Sequence, residues 1–402
     1  MSAPRVITLT EYETCSVPES HITDEEASQL WEHFKDKIDL ETPSFKTGRQ
    51  WELRSKGWVG YLVVSDTLHL ALKPKVSLKN LFGMWEYAYR FRQFNILDDV
   101  FASDSLDAFY EQLAGVLAKR ALDRARQGLY REYLDQEETL PYVRGRIDLR
   151  DKVRQPWTPD VRCAYQEHTA NIAENQILAW TLYAILRSGI RLDRVVHTVR
   201  TAYRAVGQVV DLQPLTARDC VGRVYNRLNQ DYHVLHALCR FFLDNLGPTY
   251  NLGERTMLPF LVNMAGLFEL FVAEWLREHL PARYELRAQE NVDVGDTGAL
   301  RFRIDLVISD RKTGRPVCVL DTKYKRPDVI STGDFSQVVT YALLKDTTEA
   351  VLVYPDWLNG GFEATVGDVR VRGLTFSLAG DLEQAGQVFL AELLAGIDEG
   401  VA

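Results

Sequence analysis

The chain has 402 residues, 46% of them hydrophobic, enough for two or three domains with substantial cores and incompatible with disorder of the whole chain. A formal net charge of −9 argues against a protein that binds nucleic acid unaided through a strongly basic surface. No apolar run is long enough to span a bilayer and no N-terminal signal pattern is present, so a cytoplasmic protein without membrane contact is expected.

The first 80 or so residues read as β-rich. Val6 to Leu9, Trp51 to Leu53, Val59 to Val64 and Thr67 to Leu72 are short apolar runs broken by Gly, Ser and Asp. YLVVSDTLHLAL predicts a hairpin turning at Ser65-Asp66. Thr23 to Lys37 opens on Asp24, Glu25 and Glu26, acids suited to a helix N-terminus, and continues as an amphipathic helix. Such a unit, with no catalytic constellation of its own, reads as an interaction module.

Helical spacing then runs from Leu78 to about Leu134. The aromatics Phe82, Trp85, Tyr87, Tyr89, Phe91 and Phe94 suit base stacking in principle, but their place on the apolar stripe favours core packing. Pro141 to Pro159 interrupts the helices with YVRGRIDLRDKVRQPW, whose basic residues suit phosphate, an acidic partner, or ion pairs with Asp148 and Asp151. Helix is expected again from Gln166 to Leu186, with Asn175 and Gln176 packing between helices or capping them, and from Arg200 to Leu252. Leu117 to Arg204 carries 16 Lys and Arg against 11 Asp and Glu, a modest basic excess that a solvated helical surface explains as readily as phosphate contact. The loop GPTYNLGERTMLP marks the last domain boundary. The expected domains are thus 1–159 (β-rich and helical, for interaction), 160–255 (a helical connector) and 256–402.

The last domain carries the chemistry. NMAGLFELFVAEWLREHL has helical periodicity, with Glu269 on the stripe of Val262, Ala265, Val272, Ala273 and Leu276, and Glu274 and Glu278 turned away from it. LRFRIDLVISDRKTGRPVCVLDTKYK reads as a hairpin closed around Thr313-Gly314, one carboxylate per strand, Asp305 and Asp321. Strand alternation places Asp321, Lys323 and Lys325 on one face. GDFSQVVTYALLK predicts a helix with Gln337 and Tyr341 one turn apart, followed by a strand at Ala350 to Tyr354, a strand pair in Phe362 to Leu378 and a helix over Asp381 to Ile397. Two carboxylates beside an ammonium suit a hard divalent cation and phosphodiester cleavage. Plainer roles stand beside that one: a surface hairpin with acids in both strands, Glu269 paired with an Arg, Asp334 and Gln337 as a D-x-x-Q cap, Tyr341 as core.

The order helix with Glu, strand with Asp, strand with D-x-K, helix with Q-x-x-x-Y resembles the PD-(D/E)XK nuclease superfamily. The wording FELFVAEWL, RIDLVI, VLDTKYK and DFSQVVTYA resembles the McrC family, the nuclease subunit of the modified-cytosine restriction system. YLVVSDTLHLALKPKVSLKNLFGMWEYA, YVRGRIDL, CAYQEHTANIAENQILAW and YNRLNQDY extend the likeness over most of the chain. Arg303-Ile304-Asp305 stands where the superfamily has Pro-Asp; the acid is kept. The resemblance implies an α/β (α+β) multidomain protein whose C-terminal domain is restriction-endonuclease-like, a mixed sheet flanked by helices. It implies Glu269, Asp305 and Asp321 as ligands of Mg²⁺, with Mn²⁺ as an alternative, and catalytic roles for these three with Lys323, Gln337 and Tyr341. It further implies double-stranded DNA as substrate and an McrB-like AAA+ GTPase ring as partner. No P-loop of the form G-x-x-x-x-G-K-[ST] occurs, so any motor acts in trans. The alternatives are a stand-alone nuclease of the Q-x-x-x-Y group and a non-catalytic activator of a AAA+ partner. Five cysteines, Cys15, Cys163, Cys220, Cys239 and Cys318, form no C-x-x-C pair and are expected as reduced thiols.

Overall fold

The computed structural model describes residues 5–65, 67–91, 106–154, 157–188, 192–246, 250–252, 255–257, 260–294, 300–325, 330–356 and 361–400. Asp66 at the predicted hairpin turn and Phe94 lie outside them, as do parts of the boundary loop. Two compact units result: Met1–Asp107 together with Pro259–Ala402, and Ala108–Leu258. The first and last segments of the chain, separate domains in the sequence reading, share one unit.

The N-terminal segment contains β1 (Arg5–Thr10), β2 (Thr14–Pro18), α1 (Asp24–Phe34), β3 (Ile38–Glu41), β4 (Gln50–Ser55), β5 (Trp58–Val63), β6 (Leu68–Lys73) and α2 (Leu78–Ala88). Thr23 and Glu26 form a reciprocal capping box at the start of α1. The predicted hairpin is β5–β6, paired antiparallel from Gly60↔Leu72 to Val63↔His69. Phe82, Trp85, Tyr87, Tyr89 and Phe91 are all buried, so the aromatic stripe is core.

The second unit begins within α3 (Leu106–Gln127) and continues through β7 (Glu132–Leu140), β8 (Arg146–Ile147), α4 (Leu149–Arg154), β9 (Val161–Thr169), α5 (Ala173–Arg187), α6 (Asp193–Gly207), α7 (Tyr232–Asn245), β10 (Tyr250–Leu252) and β11 (Arg255–Met257). Here the helical expectation is corrected. Glu132–Leu140 and Val161–Thr169 are strands of a three-stranded sheet ordered β7-β9-β8. The first is mostly solvent-facing and the second half-buried, and their polar stretches lack the apolar alternation by which a strand is recognised. Among the described residues from Arg200 to Leu252, α-helix is confined to the end of α6 and to α7, with a 3-10 turn at Ala217–Cys220. Asn175 is buried and fully used: its Nδ2 donates to the carbonyls of Tyr130 (2.8 Å) and Ala170 (2.7 Å), and its Oδ1 accepts from Tyr232 Oη (2.5 Å). In the Arg-rich segment Asp148 Oδ1 accepts from the Arg150 backbone N–H at 3.0 Å, shaping the turn into α4.

His236 on α7 lies beneath Tyr225, whose hydroxyl is 2.9 Å from Nδ1, and the Glu174 carbonyl, 3.1 Å from Nε2. Burial holds its pKa down at about 4, against 6.5 in solution. The unfolded chain therefore binds the extra proton between those values, so this contribution to stability is complete above pH 6.5 and is lost as pH falls through about 4. Denaturant midpoints measured from pH 7 down to pH 4 are expected to fall by the equivalent of roughly 3 kcal/mol from this site, and His236→Gln is expected to flatten that acid limb.

The chain returns through β12 (Phe260–Asn263), α8 (Met264–His279), β13 (Tyr284–Val294), β14 (Leu300–Asp310), β15 (Pro316–Thr322), α9 (Thr332–Leu344), β16 (Glu349–Tyr354), β17 (Phe362–Val366), β18 (Val369–Thr375) and α10 (Leu382–Gly400). β13 to β18 form a mixed six-stranded sheet, order β13-β14-β15-β16-β18-β17. β14 and β15 pair antiparallel, whereas β15, β16 and β18 run parallel. β16 is buried at all six positions, as a central parallel strand covered on both faces must be. Val338, Tyr341 and Ala342 of α9 join Val319, Leu352 and Val371 in one core cluster. Among the described residues no helix is long and apolar enough to cross a membrane, and the five cysteines are free thiols.

β12 is the seam of the first unit. It adds to the N-terminal sheet as the antiparallel neighbour of β5, Phe260↔Tyr61 to Asn263↔Trp58, and leads directly into α8. Gly60 makes that pairing feasible: its φ is +138°, and a Cβ there would lie 2.2 Å from the Phe260 carbonyl oxygen. Gly60→Ala is expected to cost about 2 kcal/mol or more, read as a fall in the urea midpoint, through strain plus a lost strand pairing.

Candidate functional site

The hairpin closes through residues 311–315, with Gly314 at φ +71°, in the region its lack of a Cβ allows. β14–β15 register runs Val307↔Val319 and Leu306↔Leu320; one further step sets Asp305 opposite Asp321. Asp305 is partly buried, and its Oδ2 accepts from the Thr322 backbone N–H at 2.8 Å and from Thr322 Oγ1 at 3.1 Å.

Asp321 is 1% exposed, and its Oδ1 has no hydrogen-bond partner among the described residues. Lys323 Nζ lies 2.7 Å from Oδ2, a charge-assisted contact that favours the carboxylate. Burial, reinforced by the charge of Asp305 and only partly offset by Lys323, pushes Asp321 up to about 7 from 3.8. A buried carboxylate with one oxygen unpartnered is costly unless a further cation completes it, and an all-oxygen pair suits a hard divalent ion.

Lys323 reaches onward to α9. Its Nζ donates to Gln337 Oε1 at 3.1 Å, and Gln337 Nε2 donates to Tyr341 Oη at 2.6 Å, so the amide orientation is set from both ends. Burial alone would lower the Lys323 pKa, but Asp321, with Asp305 and Asp334, outweighs it and raises the ammonium above its ordinary value. The D-x-x-Q cap is not formed by Gln337. The N-cap is Ser331, whose hydroxyl accepts from Asp334 N–H, while the Asp334 carboxylate pairs with Lys325.

Glu269 on α8 stands apart from that chain of contacts. Its Oε1 accepts from Gln289 Nε2 at 3.0 Å. Burial raises its pKa, and the Asp305 charge is the next cause, opposed in part by Arg303 and Lys323, which places it within electrostatic reach of the acids. Among the described residues, no three His, Cys, Asp or Glu side chains form a ready metal cage. The helix stripe is corrected in two respects. Val262 belongs to β12 and Ala265 is exposed, while Glu274, expected to face away from the apolar stripe, is buried between Arg90 (Nη2 to Oε2, 2.8 Å) and Arg277.

Sequence reasoning missed two residues here. Gln289 has φ +54° and interrupts the β13–β14 pairing between Ala288↔Leu306 and Glu290↔Ile304, opposite Asp305. A left-handed non-glycine residue inside a strand costs on the order of 1–2 kcal/mol, and here it aims an amide at Glu269. Glu11, from the far end of the chain, is fully buried and accepts from Tyr324 Oη at 3.1 Å. Nothing in the sequence marks either one.

A mixed α/β unit with two acids on adjacent antiparallel strands, a lysine two residues on and a glutamine–tyrosine pair on the next helix thus defines the class of protein. The chain belongs to the McrBC 5-methylcytosine restriction system component family, whose model matches residues 53–355, in keeping with the resemblance in its motifs. It is 22% identical over 267 residues to the type IV methyl-directed restriction enzyme EcoKMcrBC of Escherichia coli K12, covering 63% of this chain and 74% of that protein. Its fold is similar, at a TM-score of 0.50 and 17% identity, to a chain in the half-complex of Thermococcus gammatolerans McrB AAA+ hexamers with bound McrC, covering 97% of this chain and 100% of that one.

Proposed function

We propose that this protein is the nuclease subunit of an McrBC-like, modification-dependent restriction system, a Mg²⁺-dependent DNA endonuclease with a PD-(D/E)XK site that works with a AAA+ GTPase ring. The observation that carries the reading is Asp321: a buried carboxylate with Oδ1 unpartnered among the described residues, opposite Asp305, its Oδ2 held by Lys323. Asp305 and Asp321 are the residues to hold the cation, with Glu269 at the edge of the site. A divalent ion bound there would supply an activated water and offset phosphate charge.

The chain's own groups do the rest. Lys323 presents an ammonium to the reacting phosphate or the attacking water, held by Asp321 on one side and Gln337 on the other. Tyr341 fixes the Gln337 amide so that its oxygen, not its nitrogen, faces Lys323. Thr322 locks Asp305 through one carboxylate oxygen, leaving the other for a ligand. The AAA+ partner is carried over from the Thermococcus assembly, which unites McrB AAA+ hexamers with McrC; this chain has no P-loop of its own.

The test is cleavage of modified and unmodified plasmid by the purified chain with an McrB-type GTPase, GTP and Mg²⁺. Linear product that needs all of these and is suppressed by EDTA is expected. Cleavage insensitive to EDTA removes the metal-site reading; full cleavage without the partner favours the stand-alone nuclease; GTPase stimulation with no cleavage favours the non-catalytic activator.

A further inference from the structure

We propose that Glu11, at the end of the first strand, is a positioning residue for Lys323, acting through the hydroxyl of Tyr324. Its activity arm rests on the nuclease reading above.

β15 ends at Thr322, and Lys323 follows without a strand partner on the β14 side. Contacts from β14, β16 and the end of β1 hold this stretch of chain. Thr322 N–H donates to Asp305 Oδ2 at 2.8 Å, Lys323 N–H donates to the Val353 carbonyl at 2.8 Å, and Tyr324 Oη donates to Glu11 Oε2 at 3.1 Å. Tyr324 sits at the centre of a tight turn closed by the Lys325 N–H on the Lys323 carbonyl at 2.8 Å. Anchoring its phenol on Glu11 therefore fixes the path of the chain directly after Lys323, whose ammonium reaches Asp321 and Gln337. The Tyr324 ring also meets Phe268, centroids 5.9 Å apart, on the helix that carries Glu269.

Glu11 is an expensive anchor. It is fully buried, Oε1 has no hydrogen-bond partner among the described residues, and Oε2 otherwise takes only the Lys75 N–H at 3.4 Å. A buried carboxylate so thinly satisfied destabilises the fold, so packing alone gives no reason for an acid there. Its backbone is held independently, by its N–H to the Lys73 carbonyl at 3.0 Å and by a bridge to Ser55, so the side chain is free to serve Tyr324.

The experiment compares Glu11→Ala, Glu11→Gln, Tyr324→Phe and the Glu11→Ala/Tyr324→Phe double variant in the full chain with its partner, reading kcat and KM for DNA and, separately, amide exchange by peptide mass spectrometry. Glu11→Ala and Tyr324→Phe are each expected to lower kcat roughly 10- to 100-fold with KM unchanged, and the double variant no further than either alone. Glu11→Gln, which keeps an acceptor for the phenol, is expected to recover most of the rate. Exchange in 322–325 is expected to quicken in Glu11→Ala and Tyr324→Phe while β16 stays protected. Unchanged kcat with unchanged exchange in 322–325, or additive losses in the double variant, would overturn the proposal. If the wild-type protein does not cleave, the nuclease reading fails and exchange decides alone: quickening confined to 322–325 upholds the anchor, and none sinks it. Tyr324→Phe, which deletes one oxygen, keeps the test open if Glu11→Ala does not fold.

Discussion

Asp321→Asn is expected to reduce DNA cleavage by at least ~10³-fold and, measured in EDTA, to leave the protein no less stable above neutral pH. The first effect follows from replacing the buried carboxylate opposite Asp305, whose Oδ1 is left open for a cation. The second follows from linkage. Burial raises Asp321 from 3.8 to about 7, so the folded state binds the extra proton between those values. The associated stability is complete below pH 3.8 and is lost as pH rises through about 7. At pH 8 the wild-type protein carries an ionised, buried acid, and each tenfold weakening of its ionisation on folding costs about 1.4 kcal/mol. An amide carries no such penalty, and this offsets the partner that Lys323 loses. Thermal midpoints at pH 5 and pH 8 with a plasmid assay check both halves. Near-normal cleavage by the Asn variant would refute the site, and a midpoint well below wild type at pH 8 would show that Asp321 is held by the fold alone.

Cleavage by the isolated chain near physiological salt is expected to be at least ~10²-fold slower than in the presence of the proposed AAA+ partner, with duplex DNA bound only non-specifically, in the ~1–100 μM range. Non-specific affinity comes mainly from counterion release by clustered Lys and Arg. This chain carries 47 Lys and Arg against 56 Asp and Glu, and no base-reading helix-turn-helix or zinc-finger motif is evident in its sequence. A salt titration of binding, paired with single-turnover cleavage with and without the partner, makes the measurement. Tight, site-specific binding with efficient cleavage by this chain alone would reject the partner-dependent reading.

The second unit was the least legible part of the chain. β7 reads EYLDQEETL, strong in helix-forming glutamates, and only pairing with β9 along nine positions makes it a strand. Glu274 misled for the opposite reason: an acid one turn from solvent reads as exposed until Arg90, 184 residues away in sequence, covers it.

What the sequence by itself determined is local. The alternation in RIDLVI and VLDTKYK, with the turn at Thr313-Gly314, settles the hairpin and the common face of Asp321 and Lys323, because side-chain period and turn chemistry act over a few residues. The one-turn spacing of Gln337 and Tyr341 settles their hydrogen bond in the same way. Tertiary structure decided everything that joins distant segments: β12 adding to the N-terminal sheet beside Gly60, Gln289 bending left-handed to meet Glu269, and Glu11 reaching Tyr324 across 313 positions. Those contacts depend on which surfaces the whole chain can bury together, and a carboxylate's burial and pKa are properties of that packing rather than of its neighbours in sequence.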